Sequence, residues 1–407
     1  MSVFGTHGTH GTHGTHGTHG THGTHGTHGT HGTHAGGVSP MLSTALGQTA
    51  EALMGYWDGD ATNPIPDRAD DLTRLMRLEP YSRAAVLSHE AMSLFTARPG
   101  TAQDYLVRAD ADLVSLTPPK PDMIAGQMTE LRAAMDLRGD RLPEILAQAE
   151  DLLPFFAAQA PFSETRRPYT MLLIAALYDA VVAQEQRIKH FCSVPRPVDL
   201  SPQIQPVIQT PGHSSYPSGH ATEAFAFATI FAALRLTGAG TPDAALIKTL
   251  LARLTPVVEL APTVDPVILL FRLAARIADN RTIAGVHYPV DSAHGGVLGL
   301  SVTLAFLAHC LGGGSANAVP AWTADAEGWS GDFSLRKWCE ALGATSKQGW
   351  RSGTCTVPTA ESWHLLPSLW QAAAAEWGRP APLARQKTKA NPKKAGRAAG
   401  GKRGAVK

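Results

Sequence analysis

The sequence predicts an all-α protein, a helical bundle carried between two tails, and three observations support this. Apolar residues recur three or four apart, with charges between them, over residues 72–78, 83–97, 121–137 and 142–157. The stretches 169–190, 221–236, 244–258, 266–280 and 289–311 keep the period but become more apolar, as inner members of a bundle do. No alternating strand pattern of useful length interrupts them, and the breaks fall at clusters such as "DGDATNPIPD" and "TPPKPD".

The tails are not expected to fold. From residue 5 to residue 34 the triplet Gly-Thr-His repeats ten times, offering nothing apolar to bury against the entropy cost of ordering. Neutral imidazoles at every third residue suit loose binding of zinc, nickel or copper, and not a closed tetrahedral site. Residues 385–407 carry nine Lys/Arg and no acid, which reads as a flexible basic tail, a candidate for weak contact with nucleic acid or anionic lipid and no specific reader of either. Setting those nine charges aside takes the rest of the chain from +1 to −8, so the folded body is acidic. The expected organisation is a repeat tail (1–37), an N-terminal helical region (38–160), a core carrying the chemistry (161–315), a tryptophan-rich segment (316–380) and the basic tail (381–407).

Cys192, Cys310, Cys339 and Cys355 form neither a disulfide framework nor a zinc pattern; only Cys339 and Cys355 are close in sequence. The N-terminus lacks the basic stretch and apolar core of a secretory signal, so a cytoplasmic location is the expectation. The best candidate for a membrane span, residues 295–314, contains His309 and much glycine, and a buried bundle helix is the better reading. Seven of the eight tryptophans lie between Trp322 and Trp377, which reads as a segment pinned to the bundle by aromatic anchors, with a substrate lid as the rival reading.

Three stretches carry chemistry. "KHFCSVPRP" places Lys189 and Arg196 around the end of an apolar helix. "HSSYPSGHAT" sets His213 and His220 on either side of Ser218 and Gly219, just before a helical run. A helix N-terminus presents outward N–H groups, glycine permits close approach, and the dipole favours negative charge. In "NRTIAGVHYPVD", Pro289 suits a first helical position, so His287 falls just outside a helix and Asp291 in its first turn. The carboxylate then fixes the tautomer of His287 and leaves its other nitrogen as nucleophile or ligand. Each stretch alone has an ordinary structural reading. Together, Lys189, Arg196 and Arg281 would be three unpaired cations in an apolar bundle, which is strongly disfavoured without an anion between them. A tetrahedral oxyanion fits, with one imidazole on the axis and the other handling a proton opposite.

Lys189-x6-Arg196-Pro197, then Pro217-Ser218-Gly219-His220, then Arg281-x5-His287-x3-Asp291 resembles the type 2 phosphatidic acid phosphatase/vanadium haloperoxidase superfamily, with the three motifs in the family's order. Asn280 stands where the family often has serine. The resemblance implies an all-helical bundle fold of the acid phosphatase/vanadium haloperoxidase type. It implies that Lys189, Arg196, Ser218, Gly219 and Arg281 bind the anion. In phosphatase members the residue matching His287 is phosphorylated, Asp291 orients it and His220 protonates the leaving alcohol, with no cofactor. In haloperoxidase members His287 is the axial ligand of vanadate and His220 helps activate peroxide. The two chemistries share a site because pentacoordinate vanadate has the shape of the phosphoryl-transfer transition state.

His213, seven before His220, stands where bromide-oxidising members of the family also carry a histidine. This position favours a vanadate-dependent haloperoxidase acting on halide, bromide above all, and hydrogen peroxide. The alternative is a soluble phosphatase acting on phosphate monoesters. Nothing in the pattern excludes a homodimer.

Overall fold

Seven of the fourteen described α-helices start with proline, because the ring presets the helical φ at a position whose N–H has no partner to lose. The structure is a computed structural model that describes residues 40–53, 59–60, 71–101, 104–254, 265–343 and 350–378. The two tails expected to be disordered, and the end of the helix expected at 244–258, lie outside the described residues. In chain order the elements begin with α1 (Pro40–Leu53), α2 (Asp71–Met76), α3 (Pro80–Ser93), β1 (Thr96–Pro99), β2 (Tyr105–Arg108) and β3 (Asp112–Thr117). Then come α4 (Pro121–Ala134), α5 (Arg138–Glu150), α6 (Leu153–Ala157), α7 (Pro168–Cys192), α8 (Pro197–Leu200), α9 (Gly219–Gly238) and α10 (Asp243–Ala252). The chain continues with α11 (Pro266–Ile283), α12 (Pro289–Cys310), β4 (Gly314–Asp325), α13 (Leu335–Gly343), β5 (Arg351–Val357) and α14 (Leu366–Trp377).

The all-α class holds for the bulk of the protein, and α7, α9, α11 and α12 form its centre. All 22 residues of α12 are buried. Among the described residues it is the one helix long and apolar enough to cross a membrane, and here protein surrounds it on every side. Its approach to α9 depends on Gly299: a Cβ there would lie 2.1 Å from the Thr222 carbonyl oxygen. This close crossing fixes the N-termini of α9 and α12 side by side, where the histidines of two motifs lie.

The absence of strands is corrected. A five-stranded sheet runs in the order β1-β2-β3-β4-β5, all neighbours antiparallel except β3 and β4, which are parallel with Val114 beside Trp322. The helix expected over 83–97 ends at Ser93, and its last residues join β1. These strands lacked a legible period for physical reasons. β1 and β2 have four residues each, and β3 buries Leu113, Val114, Ser115 and Leu116 in succession, as a strand covered on both faces does. β4 contains Pro320, which normally argues against an inner strand. Pairing with β3 begins only at Trp322, so the missing Pro320 N–H breaks no ladder there.

The expected helix over 142–157 is two, α5 and α6, parted by Asp151 in an extended conformation at φ −160° and ψ 132°. Of the C-terminal tryptophans, Trp338, Trp350 and Trp370 are buried and Trp363 is exposed. The Trp338 indole N–H donates to the Ala293 carbonyl at 3.1 Å, and the ring lies 4.4 Å from that of Phe225. Carboxylates from distant helices cap two N-termini. Glu90 of α3 accepts from the N–H groups of Leu365 and Leu366 at α14, and Glu376 of α14 accepts from those of Tyr169 and Thr170 at α7. None of the four cysteines is in a disulfide.

Candidate active site

The end of α7 places Lys189, which is 1% exposed although it is a lysine. Its ammonium donates to the carbonyls of Ser214, Ser215 and Pro217, the turn leading into α9. Arg196, just before α8, donates from Nε to the His213 carbonyl at 3.0 Å and from Nη1 to the Val286 carbonyl at 2.8 Å. Its Nη1 also lies 3.1 Å from His287 Nε2 and its Nη2 3.1 Å from His213 Nδ1. Two of the three expected cations are therefore not unpaired: backbone carbonyls hold Lys189 and Arg196. Each still keeps its charge beside the histidines.

Arg281 is the cation with spare donors. At the last turn of α11 and fully buried, it donates from Nη2 to the Ile145 carbonyl and to Gln148 Oε1, while Nε and Nη1 have no protein partner. Leaving such donors dry costs free energy unless a ligand takes them. His220 Nε2, also buried, is unpartnered as well.

His287 lies in the turn between α11 and α12, outside the helix, with Asp291 in the first turn of α12. His287 Nδ1 is 3.1 Å from Asp291 Oδ2, an oxygen that also accepts from Ser215 Oγ and from the Tyr288 N–H. A carboxylate only accepts and a guanidinium only donates. Flanked by Asp291 and Arg196, the neutral ring must carry its proton on Nδ1 and its lone pair on Nε2.

Burial, then the positive charge of Arg281, holds His220 well below the ordinary histidine range. Burial, then Arg196 and Lys189, does the same to His287, which also feels His220 and His213. Both rings are neutral at pH 7, and these mutual influences bring Lys189, Arg196, His213, His220, Arg281 and His287 into one charged neighbourhood. Burial lowers Arg196 to about 10 and Arg281 to about 9, and raises Asp291 to about 6.

Ser218 requires a correction. It caps α9 through its side chain, as the sequence suggests, but its N–H donates to the Asp291 carbonyl at 2.9 Å and does not face an anion. The crossing of α9 and α12 brings that carbonyl into reach. Its hydroxyl and the N–H of Gly219, at the first position of α9, are the donors this terminus retains.

Sequence reasoning passed over three residues. Ser215 holds Asp291 and Gln148 holds Arg281. Glu185, one turn before Lys189, lies in the site with its Oε1 4.0 Å from the ammonium. An acid four residues before a lysine on an otherwise apolar helix face was the available signal for Glu185. The side-chain amide of Asn280 donates to Gln148 Oε1 at 2.9 Å and its side-chain oxygen accepts from Arg141.

No curated protein matches this chain. Residues 168–311, from the first residue of α7 to just past α12, match the family model described as the PAP2 superfamily, and the match contains every motif residue from Lys189 to Asp291. Over this segment the chain is similar to the PAP2 superfamily.

Proposed function

We propose that the protein is a vanadate-dependent haloperoxidase that oxidises halide, bromide preferred, with hydrogen peroxide. The observation that carries this branch is His213: its imidazole packs on Arg196, the same guanidinium that meets His287, so a third ring enters the anion neighbourhood. The residues present fit a tetrahedral oxyanion, since Arg281 Nε and Nη1 are buried donors lacking acceptors and Lys189 and Arg196 add fixed positive charge. Arg196, Arg281, the Ser218 hydroxyl and the Gly219 N–H would hold vanadate by hydrogen bonds, with Lys189, its three N–H groups on carbonyls, adding positive charge and His287 Nε2 as ligand to the metal. Bound vanadate supplies the Lewis acidity that activates peroxide. The protein's own part is positional and protonic. Asp291 and Ser215 lock the His287 ring, Arg196 exchanges its contact with Nε2 for the anion, and His220 Nε2 accepts a proton from incoming peroxide.

A second reading, hydrolysis of phosphate monoesters, is favoured by the His287–Asp291 pair. It presents a neutral imidazole with an oriented lone pair, the state needed to attack phosphorus. His220 then needs a proton to give to the leaving alcohol.

One preparation assayed with and without orthovanadate decides between them. Peroxide-dependent bromination that appears only with vanadate supports the first reading. Hydrolysis of a generic phosphate monoester, inhibited by vanadate, supports the second. A preparation that does neither contradicts both.

A further inference from the structure

Glu185 is an acid inside a cradle otherwise built for anions. It is wholly buried on α7, its Oε1 lies 4.0 Å from Lys189 Nζ and accepts from Gln186 Nε2, and its Oε2 has no partner. The same Oε1 sits 2.5 Å from where a Cβ on residue 219 would be, so the glycine at the start of α9 makes room for this carboxyl. An oxyanion held by the Gly219 N–H and attracted by the Lys189 charge would therefore lie beside Glu185. Two negative groups at that separation in a water-poor site repel strongly. A neutral carboxylic acid removes the repulsion and turns its O–H into a short donor to the anion.

We propose that Glu185 is an additional anion-binding residue, protonated when phosphate or vanadate is bound and donating its carboxyl hydrogen to the oxyanion. This rests on the anion-site reading above and adds a requirement to it: binding takes up one proton at this side chain. Burial already lifts the Glu185 carboxyl to about 7 against the pull of Lys189 and Arg196, so the proton is available near neutral pH. The facing charges come from three places: Lys189 on α7, Arg196 beyond its end, and Asp291 on α12, which acts on Lys189 and Arg196. His220, next to Gly219 on α9, feels the same two cations. Burial lowers Lys189 to about 8, while its three carbonyl acceptors favour the ammonium.

The test uses sulfate, a tetrahedral dianion that does not titrate in the working range, bound to the full chain and to Glu185→Gln in calorimetry at pH 6 and pH 8. Gln presents the neutral shape at every pH. At pH 6 the two proteins should bind within about threefold of each other, and at pH 8 Glu185→Gln should bind about tenfold more tightly, from one proton withheld over one pH unit above 7. Repeating the wild-type titration in two buffers of different ionisation enthalpy should show about one proton more taken up than in the variant at pH 8. This count on the wild type stands even if the variant folds poorly. A ratio of affinities unchanged between pH 6 and pH 8, or weaker binding by Glu185→Gln at both, overturns the assignment and leaves the anion site standing. No sulfate binding by the wild type at pH 6 overturns both.

Discussion

Gln148 Oε1 accepts two hydrogen bonds at once, from Asn280 Nδ2 at 2.9 Å and from Arg281 Nη2 at 3.1 Å. The amide of Gln148 is oriented in turn by Glu144, which accepts from its Nε2 at 2.8 Å. A residue of α5, outside all three motifs, thus aims Arg281, the motif arginine whose remaining donors are spare. Gln148→Leu should raise the dissociation constant for sulfate or phosphate roughly 10- to 100-fold, the usual effect of removing a supporting hydrogen bond behind a ligand-binding group. Circular dichroism should show unchanged helicity. Unaltered anion affinity in that variant would mean Arg281 is aimed by its helix alone.

Removing the primary groups should be more severe. Arg281→Ala and His287→Ala should each abolish activity, and Asp291→Asn should lower kcat by at least about 100-fold, because the amide disturbs the Nδ1–H tautomer. Single-turnover assays beside helicity measurements check this. Full activity in the His287 variant would exclude both proposed mechanisms.

The α9–α12 crossing gives a stability prediction with an internal control. Gly299→Ala puts a methyl group 2.1 Å from a backbone oxygen that cannot rotate away. It should cost about 1–3 kcal/mol, as overpacking does. Gly126→Ala on α4, where nothing lies within 4 Å of the added carbon, should be neutral or gain up to about 1 kcal/mol from helix propensity. Denaturant unfolding of the two variants should shift in opposite directions or differ by more than their errors.

His294, fully buried on α12 and bonded to Tyr216, is pushed by burial down to about 3. Above pH 6.5 it is neutral folded or unfolded. Below that, the unfolded chain takes a proton the folded one refuses, so stability falls as pH drops, by about 1.4 kcal/mol per unit. Glu185 and Asp291, raised by burial, act in the opposite sense between about pH 4 and 7. The informative quantity is therefore a difference between proteins. From pH 7 to pH 5, wild type should lose about 2 kcal/mol more than His294→Asn in urea unfolding. Parallel slopes would contradict a neutral buried ring.

Deleting residues 5–34 should leave catalysis intact, since the repeat shares no motif with the site. Activity lost with that deletion would move the function towards the repeat's imidazoles.

The motif histidines and cations were legible because each stretch is contiguous, polar and set at a helix end inside an apolar run. What they touch was not legible. The carbonyls of Ser214, Ser215 and Pro217 occupy Lys189, and the Asp291 carbonyl takes the Ser218 N–H. Main-chain acceptors are the same for every sequence until the fold brings them near. Gln148 and Glu185 were missed because a lone polar residue on a helix looks solvent-facing until its neighbours are known. β3 was missed because a strand covered on both faces carries no alternation.

The parallel pairing of Val114 with Trp322 has a consequence for synthesis. β3 leaves the ribosome long before its neighbour exists, and α4 through α12 must be made and docked in between. Until β4 arrives, one side of β3 is a bare ladder of amide groups among Leu113, Val114 and Leu116, open to another nascent chain. A protein stopped after Cys310 would keep every motif side chain yet lack β4 and β5, and it should aggregate through the open edge of β3.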